Sequence, residues 1–194
     1  MLCFVDSETT GLSARLDYLL EVGVVLTTND LVVVARKSVL VWDDKEAIQK
    51  RLDLNDVVRR MHTDNGLLRA AEQCGVPGWQ AEQELLTFID RNAEKLPGGQ
   101  VTEGCLGEMA GSGVQFDRKM LAAHMPTLHS RFHGYRNIDV STLRTITKRW
   151  WPADIAAGIP PGRDQHRVDP DVENTIEQMR YLRRVFRGAC REAA

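Results

Sequence analysis

The 194-residue chain has a formal net charge of −2, with 43% hydrophobic and 27% charged residues, the proportions of an ordinary soluble globular domain with one core spanning residues 1–194. This balance argues against a protein that coats long nucleic acid, which needs a broad basic surface, and leaves room for an enzyme that takes a short nucleic acid into a local pocket. Cys3, Cys74, Cys105 and Cys190 form no Cys-x-x-Cys pair and read as reduced thiols of a cytoplasmic protein, not as a disulfide framework or a zinc site. Met1-Leu2 leads directly into a strand without a signal-peptide pattern, and no apolar run approaches membrane-span length.

The opening run Leu2-Cys3-Phe4-Val5-Asp6-Ser7-Glu8 predicts a strand that places two acids at i and i+2. Alternate side chains of a strand point the same way, so Asp6 and Glu8 share a face. Adjacent carboxylates repel, and a hard divalent cation between them relieves the repulsion; the plainer reading is a strand ending in two solvated acids. Thr9-Thr10-Gly11 breaks the strand, and Gly11 permits a tight turn and close approach of a ligand.

A polar loop, Ser13 to Asp17, precedes two β-rich runs, Tyr18 to Thr27 and Leu31 to Val41, joined antiparallel by the hairpin-length Thr28-Asn29-Asp30. From Asp43 to Gly75 the period becomes helical, with a break near Asp53 to Asn55, a helix end at His62 to Leu67 and another helix from Leu67 to Cys74. Trp79 to Leu96 predicts an amphipathic helix that buries Leu85, Leu86, Phe88, Ile89 and Leu96, followed by a Pro97-Gly98-Gly99 loop. Val101 to Leu106 reads as extended or loop, Gly107 to Gly111 as a short central strand, and Val114 to His124 as a helix. A short helix after Pro126 runs through Phe132, and Arg136 to Val140 forms the next strand. Ser141 is expected to cap a helix from Thr142 to Trp151. Pro152 to Asp164 reads as a loop. The last helix runs from Pro170 to Gly188, with Asp169-Pro170 as its start signal. The order of elements predicts an α/β domain with a mixed five-stranded sheet flanked by helices.

Four acids and one histidine stand out. Asp6 and Glu8 lie on the opening strand, Asp117 in the first turn of the helix after the central strand, Asp171 in the first turn of the last helix, and His166 in the loop before it. An acid in a first helical turn is favoured by the helix dipole alone, and a loop histidine is commonly just exposed. Together, however, they all sit at element ends that a mixed sheet can gather. Four carboxylates suit Mg²⁺ or Mn²⁺, which prefer oxygen ligands. Two such ions supply the attacking hydroxide and stabilise the leaving oxygen in phosphodiester hydrolysis. Histidine titrates near neutral pH and can accept a proton from the attacking water.

Asp6-Ser7-Glu8-Thr9-Thr10-Gly11-Leu12, the later Asp117 and the His166-x4-Asp171 spacing resemble the motifs of the 3′→5′ exonucleases that carry four acids and a histidine on a ribonuclease H-like fold. More closely, His62-Thr63-x-x-Gly66-Leu67, Met125-Pro126-x-Leu128 and Tyr135-Arg136-Asn137-Ile138-Asp139-Val140-Ser141-Thr142-Leu143 resemble the oligoribonuclease family nearly end to end. The resemblance implies a homodimeric exoribonuclease that cuts short single-stranded RNA, down to dinucleotides, with two divalent cations, Mg²⁺ or Mn²⁺. It implies Asp6, Glu8, Asp117 and Asp171 as metal ligands, with Asp6 bridging, and His166 as general base. It further implies a substrate clamp near Gly11, with Leu12 against the bases, His62 at the 3′-terminal nucleotide, Arg136 and Ser141 on the 5′-side phosphate, and Tyr135 stacking on a base in the neighbouring subunit's site.

The chain also departs from the family pattern. Val57 replaces a tryptophan five residues before the histidine, Gly111-Ser112-Gly113 replaces Gly-Asn-Ser, Pro170 replaces the first of paired aspartates, and Gly98 to Gly107 is longer. Val57 and Gly113 keep open a general exonuclease acting on longer single-stranded DNA or RNA. A third reading, a dimeric module that only binds dinucleotides, gives no reason for an acid cluster that repels phosphate.

Overall fold

Strand alternation at the start of the chain sets the architecture. In the computed structural model, which describes residues 1–93, 105–162 and 165–192, β1 (Leu2–Thr9) is the middle strand of a five-stranded sheet. It pairs antiparallel with β2 (Leu19–Thr27), which pairs antiparallel with β3 (Val33–Leu40). On its other side β1 pairs parallel with β4 (Met109–Gly111), and β4 pairs parallel with β5 (Asn137–Asp139). The order is β3-β2-β1-β4-β5, a mixed α/β sheet as the sequence predicts.

Cys3 and Val5 belong to one apolar layer, with Leu85 and Ile89 of α4 (Gly78–Ala93) and Met120 and Leu121 of α5 (Val114–His124). Phe4 faces the other way, into a layer with Val172, Ile176 and Leu182 of α9 (Val168–Glu192) and Val140 of α7 (Val140–Trp150). Asp6 and Glu8 share the parity of Phe4, so they emerge on the α9 face. A third cluster joins Leu20 of β2 to Ile48 and Leu52 of α1 (Lys45–Asp53) and Leu67 of α3 (Leu67–Cys74), with α2 (Asp56–Asp64) between those helices. Among the described residues no helix is long and apolar enough to cross a membrane.

Gly23 sets how closely α9 approaches the sheet. It lies opposite Asp6 in the β1–β2 register, and a β-carbon there would collide with Val168 Cγ1 and sit 3.1 Å from the Lys37 carbonyl oxygen. Gly23→Ala is expected to cost about 1–3 kcal/mol through overpacking, read as a lower midpoint in denaturant titration.

Several boundaries differ from the sequence expectation. Asp139, not Ser141, caps α7: its Oδ1 accepts from the Ser141 amide at 2.8 Å. The same oxygen accepts from the Gly113 amide at 3.1 Å, a tertiary bond that favours Asp139 as the cap. β5 is shorter than the expected Arg136 to Val140 because Val140 already begins α7. α6 (Pro126–Ser130) ends before Phe132. The expected loop after Pro152 contains α8 (Ala153–Ala157), fastened by the Tyr181 hydroxyl donating to the Ile155 carbonyl at 2.7 Å. α9 starts at Val168, two residues before Pro170. The expected helix end at Leu96, the Pro97-Gly98-Gly99 loop, the stretch from Val101 to Gly104 and the Cys190 thiol lie outside what is described.

Candidate active site

The parallel half of the sheet directs the C-terminal ends of β1 and β4 toward one cleft, the usual place for ligands in such sheets. Ligand atoms of Glu8, His166 and Asp171 lie within 4.8 Å of one another, a group that could hold a metal ion. Asp6 and Asp171 line a cleft of about 130 Å³ with Ser112, Arg144 and Gln178. Asp6 Oδ2 is buried there without a hydrogen-bond partner. Asp117 belongs to the α5 side of β1, where its Oδ1 accepts from the Ser7 hydroxyl at 2.7 Å.

These carboxylates repel one another strongly. Burial pushes Asp6 well above the ordinary carboxylate range, and Asp117, Glu8, Asp171 and Glu21 push it further. Burial likewise raises Glu8 to about 8, with Asp171, Glu21 and Asp117 adding to the shift and Arg167 opposing it. Asp117 is raised by burial against the opposing hydrogen bond from Ser7. A cluster of acids held together against repulsion, with an orphaned buried carboxylate oxygen, fits a hard cation.

The loop before α9 carries His166 in the left-handed region, φ 51°, uncommon for a residue with a β-carbon. Asp171 Oδ1 accepts from the Gln165 amide at 3.0 Å, so the first turn of α9 and the histidine loop are built as one unit.

Of the expected substrate residues, His62 lies beside Glu8, whereas Tyr135 lines a separate cleft with Asn137, Asp139 and Leu143. Gly11 is buried, and the group closest to it is the Asp17 carboxylate: a β-carbon would sit 2.6 Å from Asp17 Oδ2. Asp17 also accepts from the Ser13 amide at 2.9 Å and from Arg51 Nε at 2.9 Å, which closes the turn. Leu12 projects from that turn, 86% exposed. His62 is fully buried, and its Nε2 bonds the Thr9 carbonyl at 3.1 Å, so Nε2 carries the proton. Burial pushes His62 down to about 4, leaving it neutral at pH 7 although Glu8 Oε2 is 3.7 Å away.

Tyr135 is 78% exposed, with the His133 ring against it edge-on at 4.6 Å and the Arg136 guanidinium 5.8 Å from its ring centre, a cation–π arrangement. The Ser141 hydroxyl donates to Asp139 Oδ1 at 2.6 Å.

Several residues of this architecture were not anticipated. Arg118 of α5, 7% exposed, donates to Asn137 Oδ1 at 2.9 Å and to the Arg136 carbonyl at 3.3 Å, which fixes the segment carrying Tyr135 and Arg136. Glu21 is a lone acid in the apolar run Leu19-Leu20-Glu21-Val22-Gly23-Val24, and that isolation is a sequence signal for a buried ion pair. Arg144 shares the cleft with Asp6.

The oligoribonuclease of Chromobacterium violaceum is 36% identical over 185 residues, covering 95% of this chain and 94% of that protein. The chain belongs to the oligoribonuclease family. It is thus a hydrolase of the 3′→5′ exoribonuclease class. The family member from Hahella chejuensis is 33% identical over 185 residues, covering 95% of this chain and 94% of its own length. No protein-family model matches the chain.

Solved structures show the same ribonuclease H-like fold in a moderately thermophilic exonuclease I from Methylocaldum szegediense, with TM-score 0.56 and 19% identity, covering 94% of this chain and 40% of that one. The zinc-bound E. coli exonuclease I complex with single-stranded DNA aligns with TM-score 0.53 at 16% identity, covering 93% of this chain and 40% of that one. This chain thus spans about two fifths of the length of these exonuclease I chains.

Proposed function

We propose that the chain, one exonuclease domain over residues 1–194, removes nucleotides from the 3′ end of short RNAs down to dinucleotides and releases nucleoside 5′-monophosphates, acting as a homodimer in the cytoplasm. The observation that carries this reading is the meeting of Glu8, His166 and Asp171 within 4.8 Å, in a chain of the oligoribonuclease family.

Asp6, Glu8, Asp117 and Asp171 are the residues to hold two divalent cations, Mg²⁺ or Mn²⁺, for which carboxylate oxygens are suitable donors. Such cations, when bound, lower the pKa of water and offset charge on the phosphate oxygens. His166 is left to accept the proton of the attacking water, from a position beside the Glu8 and Asp171 carboxylates. The raised carboxylates deprotonate as cations arrive, so cation binding releases protons.

Leu12, exposed at the tip of its turn, separates the bases. His62 acts on the 3′-terminal nucleotide through the Thr9-to-Leu12 turn that it supports. Gly11 keeps that turn tight against Asp17. Arg136 and Ser141 take the 5′-side phosphate, and Tyr135 offers an exposed ring to a base in the neighbouring subunit's site. Base stacking is worth about 1–3 kcal/mol and tolerates any sequence.

The test is a length series. RNAs of two to about twenty nucleotides and matched DNA are incubated with Mg²⁺ or Mn²⁺, with chelator as control. A steep preference for the dinucleotide supports the proposal. Flat or rising rates with length favour the second reading, a general single-strand exonuclease, which Val57 keeps in play: it is 77% exposed where the family has tryptophan. Tyr135→Ala is expected to weaken dinucleotide turnover by about 5- to 150-fold, the equivalent of that stacking energy, and to affect a twenty-mer less. Equal losses on both lengths would argue against stacking.

A further inference from the structure

Glu21, the third residue of β2, is 3% exposed. A carboxylate that deep needs both an opposite charge and good hydrogen bonds. Arg167 provides both as a two-pronged pair, Nε to Oε2 at 2.8 Å and Nη2 to Oε1 at 3.1 Å. The Val168 amide adds a third bond to Oε2 at 3.3 Å. In the sheet register Glu21 lies directly opposite Glu8, so the ion pair is anchored one strand away from the acid cleft and on the same face. Planar, two-pronged pairing fixes direction as well as distance.

A second tether acts from the other side. Asn65, at the junction of α2 and α3, donates through Nδ2 to the His166 carbonyl at 2.7 Å and to the Gln165 carbonyl at 3.2 Å. Its Oδ1 is at the same time fixed by the Leu67 amide at 3.0 Å. Residues 165–168 are therefore gripped from β2 and from the α2–α3 junction. Between these grips sits His166, with φ 51°. A residue with a β-carbon persists in that conformation only where its surroundings impose it.

We infer that Glu21, Arg167 and Asn65 are positioning residues: they hold the backbone of His166 in its left-handed conformation, so that the imidazole faces Glu8 and Asp171. The inference rests on reading His166 as the proton acceptor, and its test separates the two. Asn65 also follows His62 by three residues on the same helix end, so the histidine loop is tied to the element that supports the Leu12 turn.

The experiment uses full-length protein with Arg167→Lys, which keeps the charge and loses the fork, and separately Asn65→Ala. Amide signals and hydrogen exchange of residues 165–168 are followed by NMR without metal, and dinucleotide kinetics with Mg²⁺. The expected result is faster exchange at His166 and Arg167 in each variant, with kcat lowered about 10–100-fold, as for loss of supporting bonds around a reactive group, and KM little changed. Unaltered exchange and unaltered kcat would overturn the inference. Freed amides with unaltered kcat would also overturn the positioning role, and would locate the fault in the assignment of His166. If Arg167→Lys unfolds, as far-UV circular dichroism would reveal, Asn65→Ala decides the matter, because its two donor bonds lie outside the ion pair.

Discussion

His166→Ala is expected to lower kcat about 10²–10⁴-fold, the usual contribution of a positioned proton acceptor, with the circular dichroism spectrum unchanged. His166 is partly exposed in a loop and belongs to neither apolar layer, so removing its ring leaves the core intact. Asp171→Ala is expected to abolish turnover, since it removes one of the two carboxylates in the group that could hold a metal. Its effect on stability has the opposite sign. Asp171 repels both Asp6 and Glu8 in the metal-free protein, so the variant unfolds at an equal or higher temperature without metal. Activity and stability moving apart is the mark of a site that stores repulsion for function. Loss of the dichroism spectrum in either variant would assign that residue a structural role instead.

The second large effect is on the pH dependence of stability. Glu8 and Asp6 are raised in the folded protein, so between the ordinary carboxylate range and about pH 8 the folded state binds more protons than the unfolded one. Stability therefore falls as pH rises through that window. Below the unfolded pKa both states are protonated, and the penalty vanishes. A rise of Glu8 to about 8 corresponds to several kcal/mol at full ionisation. Thermal melts in chelator are expected to show a falling Tm from pH 5 to pH 8. Mg²⁺ or Mn²⁺ reverses the trend, raising Tm more at pH 8 than at pH 5, because bound cations favour the ionised carboxylates. A Tm that rises with pH in chelator would contradict the repulsive cluster.

Much of this was legible in the chain. The alternation of Phe4, Asp6 and Glu8 placed both acids on one face, and the fold put α9 on that same face. Asp171 in a first helical turn and His166 before it were readable as types, and they do meet Glu8. Long-range partners were not legible. Glu21 announces itself as an isolated acid, but nothing near it in sequence names Arg167. The Asp139 cap won over Ser141 through the amide of Gly113, a residue 26 positions earlier. His62 read as a contact to the 3′-terminal nucleotide, yet tertiary packing buries it completely and turns its proton to the Thr9 carbonyl. Gly11 was marked for close approach of a ligand, and the group that approaches it is the chain's own Asp17.

The Glu21–Arg167 pair joins residues 146 positions apart. Closing so long a separation is entropically costly and slow compared with local helix formation. The reactive face is thus assembled from stretches far apart in the described sequence, and it exists only when that long-range topology is closed.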